Sequence, residues 1–143
     1  MTVSMILARK GRDVVTVGPD ETLEEVARVL TDRGIGAVIV TTGEGAIAGI
    51  LSERDIVKAV AKAGGGALGD AASAHMTRKV ETATPASTVN EVMERMTHGK
   101  FRHVPILEHG RLAGILSIGD VVKHRLAEIE ADASAMRDYI ATA

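Results

Sequence analysis

The 143-residue chain is 45% hydrophobic and 25% charged, a balance that supports one compact domain or two small lobes sharing a core and argues against disorder. It has no cysteine, which excludes disulfides, thiolate metal sites and cysteine nucleophiles. Phe101 and Tyr139 are its only aromatic residues and its formal net charge is −2, so a bound nucleobase is expected to lie between aliphatic side chains, and nucleic acid, which needs a basic groove, is not an expected partner.

From the N-terminus, Arg9, Lys10, Arg12 and Asp13 interrupt any apolar run, and no signal peptide is read there. No apolar stretch approaches the ~20 residues of a membrane span, so the expectation is a soluble cytoplasmic protein. Residues 14–17 read as a short extended segment before Pro19. Thr22 then opens a helix with Glu25 three residues on, a capping box in which the threonine bonds forward and the glutamate back. Leu23, Val26, Ala27 and Leu30 form its apolar stripe. Residues 37–40 and 47–51 read as strands whose nearly continuous apolar character predicts burial on both faces. Ser52 opens a second helix, and Gly64-Gly65-Gly66 reads as a flexible connector.

The series then returns. Pro19-Asp20-Glu21-Thr22-Leu23-Glu24-Glu25-Val26 is echoed by Pro85-Ala86-Ser87-Thr88-Val89-Asn90-Glu91-Val92, sixty-six residues on. An extended segment at 80–83 precedes it. Thr88 and Glu91 repeat the capping box, Val89, Val92, Met93 and Met96 the stripe, and residues 104–107 and 112–116 the strands. Gly49 to Val57 is echoed by Gly114 to Val122 at an offset of sixty-five, so one residue is lost between strands, where a turn absorbs it. Ser117 opens the last helix, which runs through Leu126 and Ile129 toward Tyr139 and Ile140 with a break near Ser134. One copy of about 60 residues buries too little surface to be comfortably stable. The fold expected is therefore α/β (α+β): two tandem β-α-β-β-α repeats packed sheet against sheet with pseudo-twofold symmetry. The boundaries are residues 5–63 for the first repeat, 64–74 for a connector and helical lead-in, 75–131 for the second repeat and 132–143 for a C-terminal helical tail.

Within each repeat one string carries chemistry: Gly49-Ile50-Leu51-Ser52-Glu53-Arg54-Asp55, and Gly114-Ile115-Leu116-Ser117-Ile118-Gly119-Asp120. A serine at a strand-to-helix junction lies where free N–H groups and the helix dipole favour a phosphate. An aspartate three residues on accepts hydrogen bonds only and suits a ribose diol. Ser-x-x-Asp is equally a helix cap that needs no ligand.

Two copies of glycine, two apolar residues, Ser or Thr, two variable residues and Asp, at matched spacing, resemble the ligand motif of CBS domains. The proline-led helix starts and the entry Phe101-Arg102-His103-Val104-Pro105-Ile106 are also similar to that family, over about residues 5 to 130. The resemblance implies a Bateman module, with adenosine-ligand clefts between its paired repeats. In it Asp55 and Asp120 would hold ribose hydroxyls, with Ser52 and Ser117 on ribose or phosphate. Lys100, Arg102 and His103 would contact phosphate, or else form a solvated cluster. The first repeat has Gly34-Ile35-Gly36-Ala37 in that place; Arg54 would substitute there or stand at the surface. Thr16, Thr82 and Thr84 would line ribose and base, although strand propensity accounts for them too. Pro105 would pack near the base or edge a strand.

The histidines His75, His98, His103, His109 and His124 lack metal-ligand spacing and read as surface or turn residues. No phosphate loop, nucleophile elbow or dinucleotide fingerprint is present, so no enzyme activity, catalytic cofactor or metal is expected. The resemblance implies a regulatory module for AMP, ADP, ATP or a dinucleotide such as NAD. With no effector domain in the chain, it is expected to signal through a partner protein or as a homodimer paired through its helices. The alternatives are a structural dimerisation module with empty clefts and a weak adenylate-processing enzyme.

Overall fold

Thr22 and Thr88 each accept a hydrogen bond from the N–H of the glutamate three residues on, at 3.2 Å from Glu25 and 3.1 Å from Glu91. Each glutamate accepts in return from the threonine N–H. These reciprocal caps satisfy donors that an open helix end leaves unpaired. They begin α2 (Leu23–Arg33) and α5 (Val89–Gly99). The computed structural model describes residues 1–142. In chain order the other elements are α1 (Val3–Lys10), β1 (Thr16–Val17), β2 (Ala37–Thr41), β3 (Ile47–Ser52), α3 (Glu53–Ala63), a 3-10 helix (Gly64–Gly69), α4 (Ala72–His75), β4 (His103–Glu108), β5 (Arg111–Ser117) and α6 (Ile118–Thr142).

The hairpins β2–β3 and β4–β5 are antiparallel copies of one another. Both ladders shift register at the same relative place, between Val40 and Thr41 and between Ile106 and Leu107. The surplus residue of the first repeat lies in its turn, since Thr41 pairs with Ile47 while Leu107 pairs with Leu112. The copies differ at their leading strands. In the first, β1 runs parallel to β2 and Ile39 donates its N–H to Val15 O at 3.2 Å. Its counterpart Pro105 has no N–H to give. The expected extended segment at 80–83 is therefore reduced to an isolated bridge from Ala83 to Ile106.

Two buried clusters form the core. One joins Leu23, Val26, Val38, Val40 and Leu51 to Ala67, Ala72 and Met76, which lead into the second repeat's extended segment. The other joins Val89, Val92, Val104, Ile106 and Leu116 to Val3, Ile6 and Leu7 of α1, which leads into the first repeat's. Each repeat is thus completed by the other's lead-in segment. The motif glycines make the exchange possible. A β-carbon on Gly49 would lie 2.7 Å from Thr77 O and 2.8 Å from Met76 Sδ, and one on Gly114 would lie 2.7 Å from Leu7 Cδ2.

Four sequence expectations are corrected. Helix α1 is absent from the sequence expectation, because its apolar residues Val3, Ile6 and Leu7 form only a short run closed by Arg9 and Lys10, and they seat on a sheet of the second repeat. The connector at Gly64 is a 3-10 helix anchored by buried Ala67, not a loose tether. Helix α6 continues through Ser134 without a break. Burial on both faces holds for residues 37–40 of β2, whereas in β3 and β5 only Gly49, Leu51, Gly114 and Leu116 are buried.

Candidate functional site

Ser52 ends β3 and caps α3. Its Oγ accepts from Asp55 N–H at 3.3 Å, and Asp55 Oδ2 accepts from Ser52 N–H at 2.9 Å and from Ser52 Oγ at 3.0 Å. The capping role is therefore real, but it engages one carboxylate oxygen. Oδ1 has no hydrogen-bond partner among the described residues and remains free to accept. Ser117 and Asp120 repeat the cap, at 3.1 Å to Ser117 Oγ and 2.9 Å to Asp120 Oδ2.

The first motif opens on a cleft of about 820 Å³ between the repeats. The strand-entry residues of the second repeat line the same cleft. Ser52, Arg54 and Asp55 share it with Lys100, Phe101, Arg102 and His103, and with residues 77 and 79–81. Arg54, Lys58, Lys79, Lys100 and Arg102 bring five cations to it, against the carboxylates of Glu53, Asp55 and Glu81. The missing basic residues of the first repeat's entry are thus supplied by the second. Phe101 in the lining also corrects the expectation of a purely aliphatic surround.

Backbone geometry fixes these side chains. Arg102 O accepts from Ile118 N–H at 2.8 Å, as Gly36 O accepts from Glu53 N–H at 2.9 Å, so each strand entry is pinned to the other strand's helix start. Lys100 ends α5 in the left-handed conformation, φ 56° and ψ 34°, where its counterpart Gly34 has φ 63° and ψ 39°. That conformation is costly for a side-chain-bearing residue. The second repeat thus carries a strained lysine at the cleft where glycine would be unstrained.

His103 begins β4 opposite Ser117 and is half-buried. A β-carbon on Gly36 would lie 3.4 Å from its Nε2 and 3.7 Å from Glu53 Oε1. Burial, followed by the Lys10 ammonium, holds its pKa below the usual imidazole value; Asp120 and Glu53 oppose the shift and Arg102 adds to it. The ring is therefore neutral at neutral pH, and it lies among charged groups of both motifs. It is not a surface residue, and neither is His124, which is buried with Nε2 3.1 Å from Glu128 Oε1 and Nδ1 unpaired.

The second motif meets a different neighbour. Lys10 Nζ donates to Asp120 Oδ2 at 2.5 Å and to Ile115 O at 2.6 Å. Burial raises the Asp120 pKa, but the hydrogen bonds from Lys10 and Ser117 and the Lys10 charge outweigh it and hold the carboxyl below the usual value. Ser117 and Asp120 do not line the Asp55 cleft, nor do Thr16, Thr82, Thr84 or Pro105. Thr16 is exposed on β1, Thr82 is half-buried, Thr84 donates its N–H to Ser87 Oγ at 3.1 Å, and Pro105 is buried within β4. Sequence reading missed Lys10, Lys58, Thr77, Lys79 and Glu81. The last three arrive because Thr77 and Ile50 exchange backbone hydrogen bonds at 2.9 and 3.0 Å, a pairing that no side-chain pattern announces. Among the described residues no group of acidic or histidine side chains is arranged to hold a metal, and no helix is long and apolar enough to cross a membrane.

Comparison with known proteins bears on this geometry. The CBS domain family model matches residues 7–62 and again 69–127. A CBS-domain-containing protein of Agrobacterium tumefaciens is 54% identical, with a TM-score of 0.86 over 87% of this chain and 99% of that one. The mitochondrial CBS domain-containing protein CBSX3 of Arabidopsis thaliana is 30% identical over 97% of this chain and 71% of its own. A CBS domain protein of Pyrobaculum aerophilum, solved in complex with AMP, is 28% identical with a TM-score of 0.75, over 84% of this chain and 89% of that one.

Proposed function

The chain belongs to the CBS domain family, and on that footing we propose that it is a regulatory module that binds an adenine nucleotide in the Asp55 cleft. One observation carries the reading: a carboxylate with an unengaged oxygen and a helix N-terminus share a cleft with five cations drawn from both repeats. The cations suit a phosphate and Asp55 Oδ1 suits a ribose diol, which offers two donors. Ile50, Val57, Val80 and Phe101 provide an apolar lining for a base. The solved AMP complex of a relative supports the same ligand class. In this reading Thr16, Thr82, Thr84 and Pro105 shape the strands, and Ser117 and Asp120 make a second site in which the Lys10 ammonium already pairs with the carboxylate, through the cap oxygen Oδ2.

Because the cleft is walled by both repeats, a ligand there joins them, and this is how occupancy reaches a partner protein or a second copy of the chain. In this reading the Ser52 hydroxyl is spent on the cap, donating to Asp55 Oδ2 at 3.0 Å, and the role of the cleft is sensing. The test is a thermal-shift panel of AMP, ADP, ATP, NAD and their guanine analogues, with and without magnesium. Ligand at a hundredfold over its dissociation constant adds about 2.7 kcal/mol for one site. A melting temperature unmoved by every adenine nucleotide at millimolar concentration would leave the chain a structural dimerisation module.

A further inference from the structure

The family match ends at residue 127, yet α6 continues to Thr142, and every residue from Glu130 to Thr142 is exposed. The extension is patterned. Val122, Leu126, Ile129, Ala133, Met136 and Ile140 follow one another at intervals of four, three, four, three and four residues. This is a heptad seam, and at 1.5 Å per residue it is about 27 Å long. Its large members are open to solvent: Val122 is 48% exposed, Leu126 60%, Ile129 55%, Met136 60% and Ile140 67%. The body of the protein grips the other side of the helix, through buried Val121 and His124. At 100° per residue His124 projects roughly 160° from the middle of the seam. Two seams can therefore meet with the two bodies facing outward.

We infer that a second copy of this chain covers the seam, as a parallel, in-register two-stranded coiled coil. Charge complementarity selects both occupant and direction. Arg125 and Asp132 flank the seam on one side, and Lys123, Glu130 and Arg137 on the other. A parallel pair sets Arg125 against Glu130 of the other copy and Asp132 against Arg137, both of opposite sign. An antiparallel pair that kept all six layers would set Glu130 against Glu130, Asp132 against Asp132 and Lys123 against Arg137. All three are repulsive, and like charges across an interface exclude the wrong partner. The seam has fewer than three heptads, so association is reversible and concentration-dependent.

This inference gives the self-association named above a geometry, and nucleotide binding does not depend on it. Sedimentation equilibrium at high micromolar concentration should find the wild-type chain dimeric and the Ile129→Glu/Met136→Glu variant monomeric. Both residues are exposed, so circular dichroism should show the variant folded, and its nucleotide-induced thermal shift should match wild type. Because the chain has no cysteine, Ala133→Cys should give one oxidised species of twice the mass, as a seam layer facing its own copy demands. A monomeric wild type, a dimer that survives the double substitution, or a dimer in which Ala133→Cys does not cross-link would each overturn the proposal. A lost thermal shift with an intact dimer would instead sink the nucleotide reading alone.

Discussion

Lys10 holds Asp120 at 2.5 Å across 110 residues of sequence, while Met76, the residue one repeat on from Lys10, packs against Gly49 and leaves Asp55 without a cation of its own. The two Ser-x-x-Asp motifs are alike in sequence and in capping, and unlike in what occupies the aspartate. Replacing Lys10 with the methionine of the other repeat should remove the difference. Calorimetric titration with AMP is expected to give one site per chain for wild type and two for Lys10→Met. Two sites in wild type, or one in both proteins, would break the link between the lysine and the closed motif.

Asp55→Ala separates capping from binding. A hydrogen bond to a charged group contributes about 1.5–3 kcal/mol, so AMP affinity should fall roughly ten- to a hundredfold. Loss of the cap should lower the unliganded melting temperature as well. A lowered melting temperature with unchanged AMP affinity would leave Asp55 a cap and nothing more.

Lys100→Gly should trade binding for stability. Relief of the left-handed lysine gains about 1–2 kcal/mol, partly offset by the greater freedom of glycine in the unfolded chain. Chemical denaturation is expected to show the variant more stable than wild type. Its affinity for AMP should drop while that for adenosine holds, and Arg102→Ala should show the same split. Equal losses for both ligands would place these cations away from the phosphate.

His103 makes stability depend on pH. Its folded pKa lies below the unfolded value of 6.5, with burial the main cause. Above 6.5 the ring is neutral in both states. As the pH falls below that value the unfolded chain takes up a proton that the folded chain refuses until its own lower pKa, so stability declines on acidification. Urea titrations from pH 7.5 to 5.5 should show a steeper loss for wild type than for His103→Ala. Identical slopes would remove His103 from the acid response.

Gly49→Ala and Gly114→Ala should differ in cost although both meet an atom at 2.7 Å. At Gly49 that atom is the Thr77 carbonyl oxygen, fixed by its hydrogen bond to Ile50, and at Gly114 it is the end of the Leu7 side chain, which can rotate. Overpacking costs about 1–3 kcal/mol, and Gly49→Ala is expected at the upper end. The two melting temperatures, measured side by side, decide it.

The duplicated capping boxes, the hairpins and the residue lost in one turn were all legible because each is local, resting on spacings of a few residues. Ser52, Arg54, Asp55, Lys100, Arg102 and His103 are candidates that the sequence names, and the structure gathers them in one cleft. What sequence did not disclose is that motif and cations from different repeats face each other. Contacts over long separations were equally hidden. Lys10 carries no mark of its aspartate, and α1 none of the sheet it seats on. The shortened leading strand of the second repeat was within reach, since Pro105 announces a missing donor.

The exchanged lead-in segments also govern the order in which the molecule can be made. A chain emerging N-terminus first can complete the first repeat once Met76 is available, because everything in that cluster lies between Val17 and Met76. Helix α1 has no such opportunity. Val3, Ile6 and Leu7 belong with Leu116 and Val121, so they stay exposed until the second repeat has been produced. Contacts of such long separation slow folding and leave apolar surface open to association. The two charges at the end of α1, Arg9 and Lys10, favour solvation of that segment through the wait, and one of them, Lys10, then finds Asp120 when the last helix is in place.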